Sequence, residues 1–254
     1  MTTARESLLD LLEARQGIVC AVGAGGKKTV LQHLAAAHPG RVALTATVVT
    51  THFPDSLGFS VAIAPPEELP AGVAALDRAR GAAYACPIDK PGRHGGVPAA
   101  VIERIHREQA FAATYVKADG ARMRWIKAPG DDEPVVPGGC STIIAIVSAR
   151  CLGQPLGPRV AHRMERVQDI TGLQLEETIR PEHVARLIAS PEGLRKGAGA
   201  RRIVPLINMV DDAQLESLAR AAAAMALELD PELGRVVLAC LRRSDDPVVA
   251  VVRR

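Results

Sequence analysis

The sequence predicts an α/β fold of three layers, a largely parallel sheet with helices on both faces. Two observations carry this prediction. Apolar runs of strand length alternate with helical patterns along most of the chain. The first such run, residues 18–22, leads through a turn rich in glycine (Gly23, Gly25, Gly26) and past two lysines into a helical pattern.

Residues 7–15 read as a short amphipathic helix with Leu8, Leu11 and Leu12 on one side. The strand, glycine turn and second helix follow and end near His38-Pro39-Gly40. Residues 41–49 form a strand, entered through a glycine and rich in Val and Thr. The apolar patch 61–64 stops at Pro65-Pro66. One helix is expected from Glu67 and another over 98–110, and residues 111–118 are strand-like, closing on Asp119-Gly120. Residues 128–139, crowded with proline and glycine, are a loop, and 142–148 an apolar strand. Helices are expected over 159–169 and 181–188, with Pro181 suited to a first turn. A strand over 202–209, an alanine-rich helix over 212–229, a strand over 234–241 and an edge strand over 247–252 complete the chain. No repeat and no linker divides it, so residues 1–254 read as a single domain. The weakest pattern lies over 55–96. A lid or insertion is placed around 55–110, and the Pro/Gly cluster at 87–98 within it is that lid or a plain surface loop.

Apolar residues make up 48% of the 254, enough for a sizeable core, while aromatics at 2% leave Ala, Val and Leu to fill it. The net charge of +3 suits a phosphate ligand. A nucleic-acid binder needs a clustered basic face or stacking aromatics, and here the arginine pairs are scattered. The 5 cysteines form no C-x-x-C pair, which argues against a zinc ribbon or thioredoxin motif, and their odd number points to a reducing cytosol. Glu6, Asp10 and Glu13 interrupt the N-terminal leucines, so no signal core is read, and no apolar run has the length of a membrane span. A cytoplasmic protein, with neither nucleic acid nor membrane as partner, is expected.

A strand, a glycine-rich loop and a helix start together bind anions. Consecutive N–H groups converge on one phosphate, the helix dipole adds positive potential, and a neighbouring lysine neutralises the outer phosphates. Gly23-Ala24-Gly25-Gly26-Lys27-Lys28-Thr29 is therefore read as a phosphate-binding, P-loop NTPase-like segment. Its spacing departs from that rule, because Ala21 stands where the first glycine belongs. If Lys27 is the phosphate lysine, Lys28 takes the Mg²⁺-ligating place and Thr29 lies about 100° further round the helix. If Lys28-Thr29 is the working pair, Lys27 displaces a glycine. Both assignments stand open, as does an ordinary βα turn without ligand.

Ligands of open parallel sheets lie beyond the carboxyl ends of the strands. The second strand ends among threonines, and Thr47 either holds Mg²⁺ or its waters or reflects β-propensity alone. Asp119 closes a strand before Gly120, as a metal-holding carboxylate or as half of a turn pair. With Asp119 on the metal, Lys27 or Lys28 would stabilise charge on a transferring phosphoryl group. Asn208-x-x-Asp211 is similar to the base-reading Asn-Lys-x-Asp of GTP-binding proteins, with Met209 in place of the lysine. Alternatively, Asp211 or Asp212 caps the following helix.

Lys117-Ala-Asp119-Gly-Ala-Arg122, Lys127-Ala-Pro129, Glu133-Pro-Val-Val-Pro137 and His162-Arg163 occur in that order. With the glycine loop and Asn208-x-x-Asp211, they make the chain resemble the YqeC family, P-loop proteins linked with selenium-dependent molybdenum hydroxylases and their cofactor. The resemblance spans roughly residues 17–211. It implies ATP or GTP bound with Mg²⁺ at residues 23–29 and a metal or phosphate role for Asp119, beside which the residues themselves offer Thr29 and Thr47 to the metal. It also implies a ligand-facing loop from Lys127 to Glu133, for which the alternative is a proline-shaped loop tied by an ion pair. The implied role is an accessory protein, as an NTPase or phosphoryl transferase, in maturing or delivering a molybdenum-type cofactor. A non-hydrolysing carrier of a phosphorylated, molybdopterin-type ligand is the alternative. The implied partners are a molybdenum hydroxylase or its cofactor-loading factors. The chain departs from the family pattern at Lys28, Lys117 and Met209, which bears on hydrolysis more than on binding.

Overall fold

The computed structural model describes residues 6–243 and 246–254. Helix α1 (Leu8–Leu11) starts at Ser7, whose hydroxyl accepts from the Asp10 N–H at 3.3 Å. Strand β1 (Gly17–Gly23) runs through the glycine turn into α2 (Lys27–Ala37). Strand β2 (Val42–Ala46), β3 (Thr50–Thr51), a 3₁₀ turn (Asp55–Leu57), β4 (Ser60–Ile63), α3 (Leu69–Ala74), β5 (Ala82–Ala85), β6 (Arg93–His94), α4 (Ala99–Gln109) and β7 (Ala113–Lys117) follow. Then come β8 (Ile126–Lys127), β9 (Cys140–Ser148), β10 (Ala161–His162), α5 (Met164–Thr171), α6 (Pro181–Ala189), β11 (Arg202–Asn208), α7 (Ala213–Leu229), β12 (Arg235–Ala239) and β13 (Val248–Arg253).

A 9-stranded sheet runs in the order β13-β12-β11-β9-β1-β7-β2-β5-β4. Every neighbouring pair is parallel except the edge pair β12 and β13. Buried strands of a parallel sheet need apolar residues on both faces. In β1, Ile18, Cys20 and Val22 enter one core cluster while Val19 and Ala21 enter the other.

Crossover handedness decides which face each helix covers. The moves β4→β5, β5→β7, β7→β9, β9→β11 and β11→β12 all step along the sheet in one direction. Their connections, with α3, α4, α6 and α7, pack on the face of Ile18 and Val22. The moves β1→β2 and β2→β4 step the other way. Accordingly α2 packs on the Val19 face, and Phe53, Leu57 and Phe59 from the β2→β4 connection pack beside it.

Several expected boundaries shift. Strand β2 stops at Ala46, because Thr47 turns away: its N–H donates to Lys117 O at 3.1 Å and its hydroxyl to Val135 O at 2.8 Å. The helix expected over 159–169 starts at Met164, since Ala161 and His162 pair with Ile126 and Lys127 in a small parallel ladder. The region around 55–110 supplies β4, β5, α3 and α4 to the main layers, and within 87–98 Arg93 and His94 pair with Thr51 and Thr50. Among the described residues no helix is long and apolar enough to cross a membrane.

Candidate functional site

Parallel pairing brings the carboxyl ends of β2, β7, β1, β9 and β11 to one edge of the sheet. Lined along that edge are Thr47, Asp119, the glycine turn, Ser148 and Asn208.

Three glycines shape the turn because their backbones lie where L side chains are strained: Gly23 at φ +88°, Gly25 at +99° and Gly26 at +101°. The space is also closed. A Cβ on Gly23 would stand 2.2 Å from Ile146 O, and one on Gly25 would stand 2.6 Å from Ser148 N. Gly26 is the N-cap of α2 and offers no capping side chain. The first helical bond runs from the Val30 N–H to Gly26 O at 3.0 Å. Among the described residues, the amides of Gly25, Gly26, Lys27, Lys28 and Thr29 donate to no acceptor. They sit at the positive end of an 11-residue helix.

Lys27 does not point over this turn. It is buried, its ammonium donates to Gly23 O, and it lies 2.8 Å from Asp119 Oδ1. That contact is an ion pair rather than an aligned hydrogen bond. Asp119, 1% exposed, accepts at Oδ2 from the Gly23 N–H at 2.9 Å and from Lys127 Nζ at 2.7 Å. Lys127, also 1% exposed, continues to Glu133 Oε2 at 2.6 Å, and Glu133 accepts from Arg163. The result is a buried chain of alternating charge, Lys27–Asp119–Lys127–Glu133–Arg163. Burial lowers the pKa of Lys27 against the pull of Asp119. Burial raises that of Glu133, but hydrogen bonds from Arg163 and Lys127 outweigh it and bring the carboxyl down to about 2.

A divalent cation does not fit this carboxylate. Both oxygens of Asp119 face ammonium groups, where Mg²⁺ would need them free. Thr47 donates its hydroxyl proton to Val135 O, and Thr29 lines a different pocket. Among the described residues no group of three or more His, Cys, Asp or Glu could hold a metal ion.

Lys28 and Lys117 occupy the other flank. Lys28 donates to Thr51 Oγ1 at 2.6 Å and Lys117 to Val49 O at 2.7 Å, and both line one small cleft. Burial, then repulsion from Lys27, pulls Lys117 down to about 8.

On the β11 side, Thr29, Asn208 and Asp211 line a pocket of about 140 Å³ with Met209 and Arg150. Buried Asn208 donates to Gly25 O at 2.8 Å, and its Oδ1 has no partner. Asp211 is held by Arg150, with Nε at 2.6 Å. The helix cap is Asp212, which accepts from the Leu215 N–H at 2.8 Å.

The structure thus joins Gly23, Lys27, Asp119, Lys127 and Glu133 in one network, and gathers Thr29, Asn208 and Asp211 in a neighbouring pocket. Lys28 stands between the loop and β3, and Thr47 serves the loop before Pro137. Ala24 is buried and its N–H donates to Ile146 O at 2.8 Å. Sequence reasoning missed Arg150 and missed the pairing of Arg163 with Glu133. The His162-Arg163 pair was the signal for the second; Arg150 left none.

A family model described as YqeC protein matches residues 19–165, more than half of the chain. An uncharacterized protein YqeC of Escherichia coli (strain K12) is 27% identical over 200 residues, covering 75% of each chain.

Proposed function

The chain belongs to the YqeC family, and from that premise we propose that it binds ATP or GTP by the phosphates and acts as an accessory protein in maturing or delivering a molybdenum-type cofactor for a selenium-dependent hydroxylase. The observation that carries the phosphate part is the row of amides from Gly25 to Thr29. They start a helix, donate to nothing among the described residues, and are flanked by the cations Lys28 and Lys117. Backbone N–H groups at a helix start, with positive potential and cations beside them, suit a phosphate. The molybdenum part comes from the family resemblance.

Within this reading the residues take distinct parts. The amides of residues 25–29 would receive phosphate oxygens. Lys28, exposed beside them, would supply the nearest mobile charge. Asn208 shapes the turn from behind through Gly25 O. The Lys27–Asp119 pair ties α2 to the end of β7. Mg²⁺ would accompany the nucleotide's own phosphates, because the Asp119 carboxylate is engaged by two ammonium groups.

That engagement favours a second reading, a carrier that binds a phosphorylated pterin or a nucleotide without hydrolysing it. Calorimetry with ATP and with GTP, each with and without Mg²⁺, tests the binding. Failure of both nucleotides to bind would remove the first reading. Steady phosphate release that needs Mg²⁺ and is lost in Lys28→Ala would remove the carrier.

A further inference from the structure

We propose that Lys28, Lys117 and Arg93 form a second anion subsite beside the glycine loop, one that receives the phosphate group of a second, phosphorylated small molecule while the nucleotide is bound.

Strands β3 and β6 form a two-residue antiparallel ladder. Thr51 and Arg93 are register partners, so their side chains leave the ladder on one face. Lys28 reaches from the start of α2 to the Thr51 hydroxyl. Lys117 approaches from the end of β7 through the Val49 carbonyl, in the segment that leads into β3. Lys28 and Lys117 therefore line one cleft, and the charge of Arg93 reaches Lys28 from the ladder beside it. Among the described residues none of the three lies within 4 Å of a carboxylate, although Arg166, Arg195 and Arg235 each find one.

Repulsion between these cations reaches across the cluster. Lys28 is lowered by burial and then by the charge of Arg93; Lys117 is lowered by burial and by Lys27, Asp119 pulls the other way, and Lys28 adds to the lowering. A fold that only needed to hold this corner together would place acids among the lysines. Like charges gathered with no carboxylate in contact mark a place where an anion completes the structure. Two threonine hydroxyls, of Thr50 and Thr51, border the same cleft and suit phosphate oxygens. His52 and Phe53 line the same cleft.

This subsite rests on the nucleotide reading in sharing Lys28 and Lys117 with the flank of the phosphate site, whereas Arg93 belongs to the subsite alone. Inorganic pyrophosphate is the probe, titrated by calorimetry into the full chain alone and into the chain saturated with ATP. The expected result is that pyrophosphate binds in both cases. In the chain saturated with ATP, where the amides of residues 25–29 are occupied, Arg93→Gln and Lys117→Met should each weaken it about tenfold, the loss of one charge-assisted contact. Arg93 is exposed on a two-residue strand, so Arg93→Gln keeps the test valid should Lys117→Met fail to fold. Unchanged pyrophosphate affinity in Arg93→Gln overturns the subsite, and displacement of pyrophosphate by ATP overturns its assignment to a second substrate. If ATP does not bind at all, the response of pyrophosphate to Arg93→Gln still decides.

Discussion

Asn208 holds the carbonyl of Gly25 at 2.8 Å across 183 positions of sequence. Its other amide atom, Oδ1, is buried without a partner. One side chain therefore both fixes the back of the glycine turn and keeps an acceptor in reserve beside it. Asn208→Ala removes the bond and strands Gly25 O, which should cost about 1–3 kcal/mol in urea unfolding. Asn208→Asp sets a carboxylate against that carbonyl and should cost more. A stability equal to wild type in both variants would show that the contact contributes nothing.

The turn itself tolerates no side chain. Gly25→Ala imposes a Cβ at φ +99° and 2.6 Å from Ser148 N. The strain is worth about 1–3 kcal/mol, relieved only if the turn moves. Calorimetry should then show ATP affinity falling at least as steeply as stability does, and undiminished ATP binding would contradict the role of the amides.

Lys127 sits between two carboxylates and Lys27 beside one, so their removal should not be equivalent. Lys127→Met leaves Asp119 and Glu133 short of a shared, fully buried partner, and should cost about 3–5 kcal/mol in urea unfolding. Lys27→Met leaves Asp119 with Lys127 and the Gly23 N–H, and should cost clearly less. The reverse order would mean that the network is organised around Lys27 instead.

Acid should act through Glu133. Its carboxyl lies near pKa 2 in the fold against the usual 4.5, so the unfolded chain binds the extra proton first. The stabilisation is complete above 4.5 and is lost as pH falls from 4.5 through 2. Glu133→Gln should be less stable than wild type at pH 6 and should flatten the pH dependence of unfolding across that window.

Alkali should act through Lys117, which titrates near 8. Only its ammonium form attracts an anion, so pyrophosphate affinity should be highest below 8 and decline as pH rises through it. Stability has the opposite slope: the unfolded lysine keeps its proton to higher pH, so wild type should gain stability between about 8 and its usual 10.5. Lys117→Met should abolish both trends, read by calorimetry and urea unfolding over pH 7 to 10.

The layered α/β fold was legible because β1, β9 and β11 are unbroken apolar runs and the glycine turn announces a helix start. Strand β5 was not, because Ala82, Ala83 and Ala85 are poor strand formers whose burial is decided by their neighbours β2 and β4. At the site, Lys27, Asp119, Lys127 and Glu133 could each be singled out, yet not their arrangement. A lysine beside a glycine loop reads as a phosphate lysine, whereas here it finds a carboxylate delivered by β7. The pairing of Arg150 with Asp211 joins residues 61 apart and leaves no local pattern to read.

The uneven dressing of the sheet has a consequence for how the molecule breathes. On the side of Val19 and Tyr115, α2 covers the central strands together with the short α1, and its first turn is the one proposed to receive phosphate. Whatever grips that end also clamps the lid of the inner core. Amide deuteration of β1 and β7 should therefore slow when the turn is filled, even though no atom of those strands' middles touches what fills it.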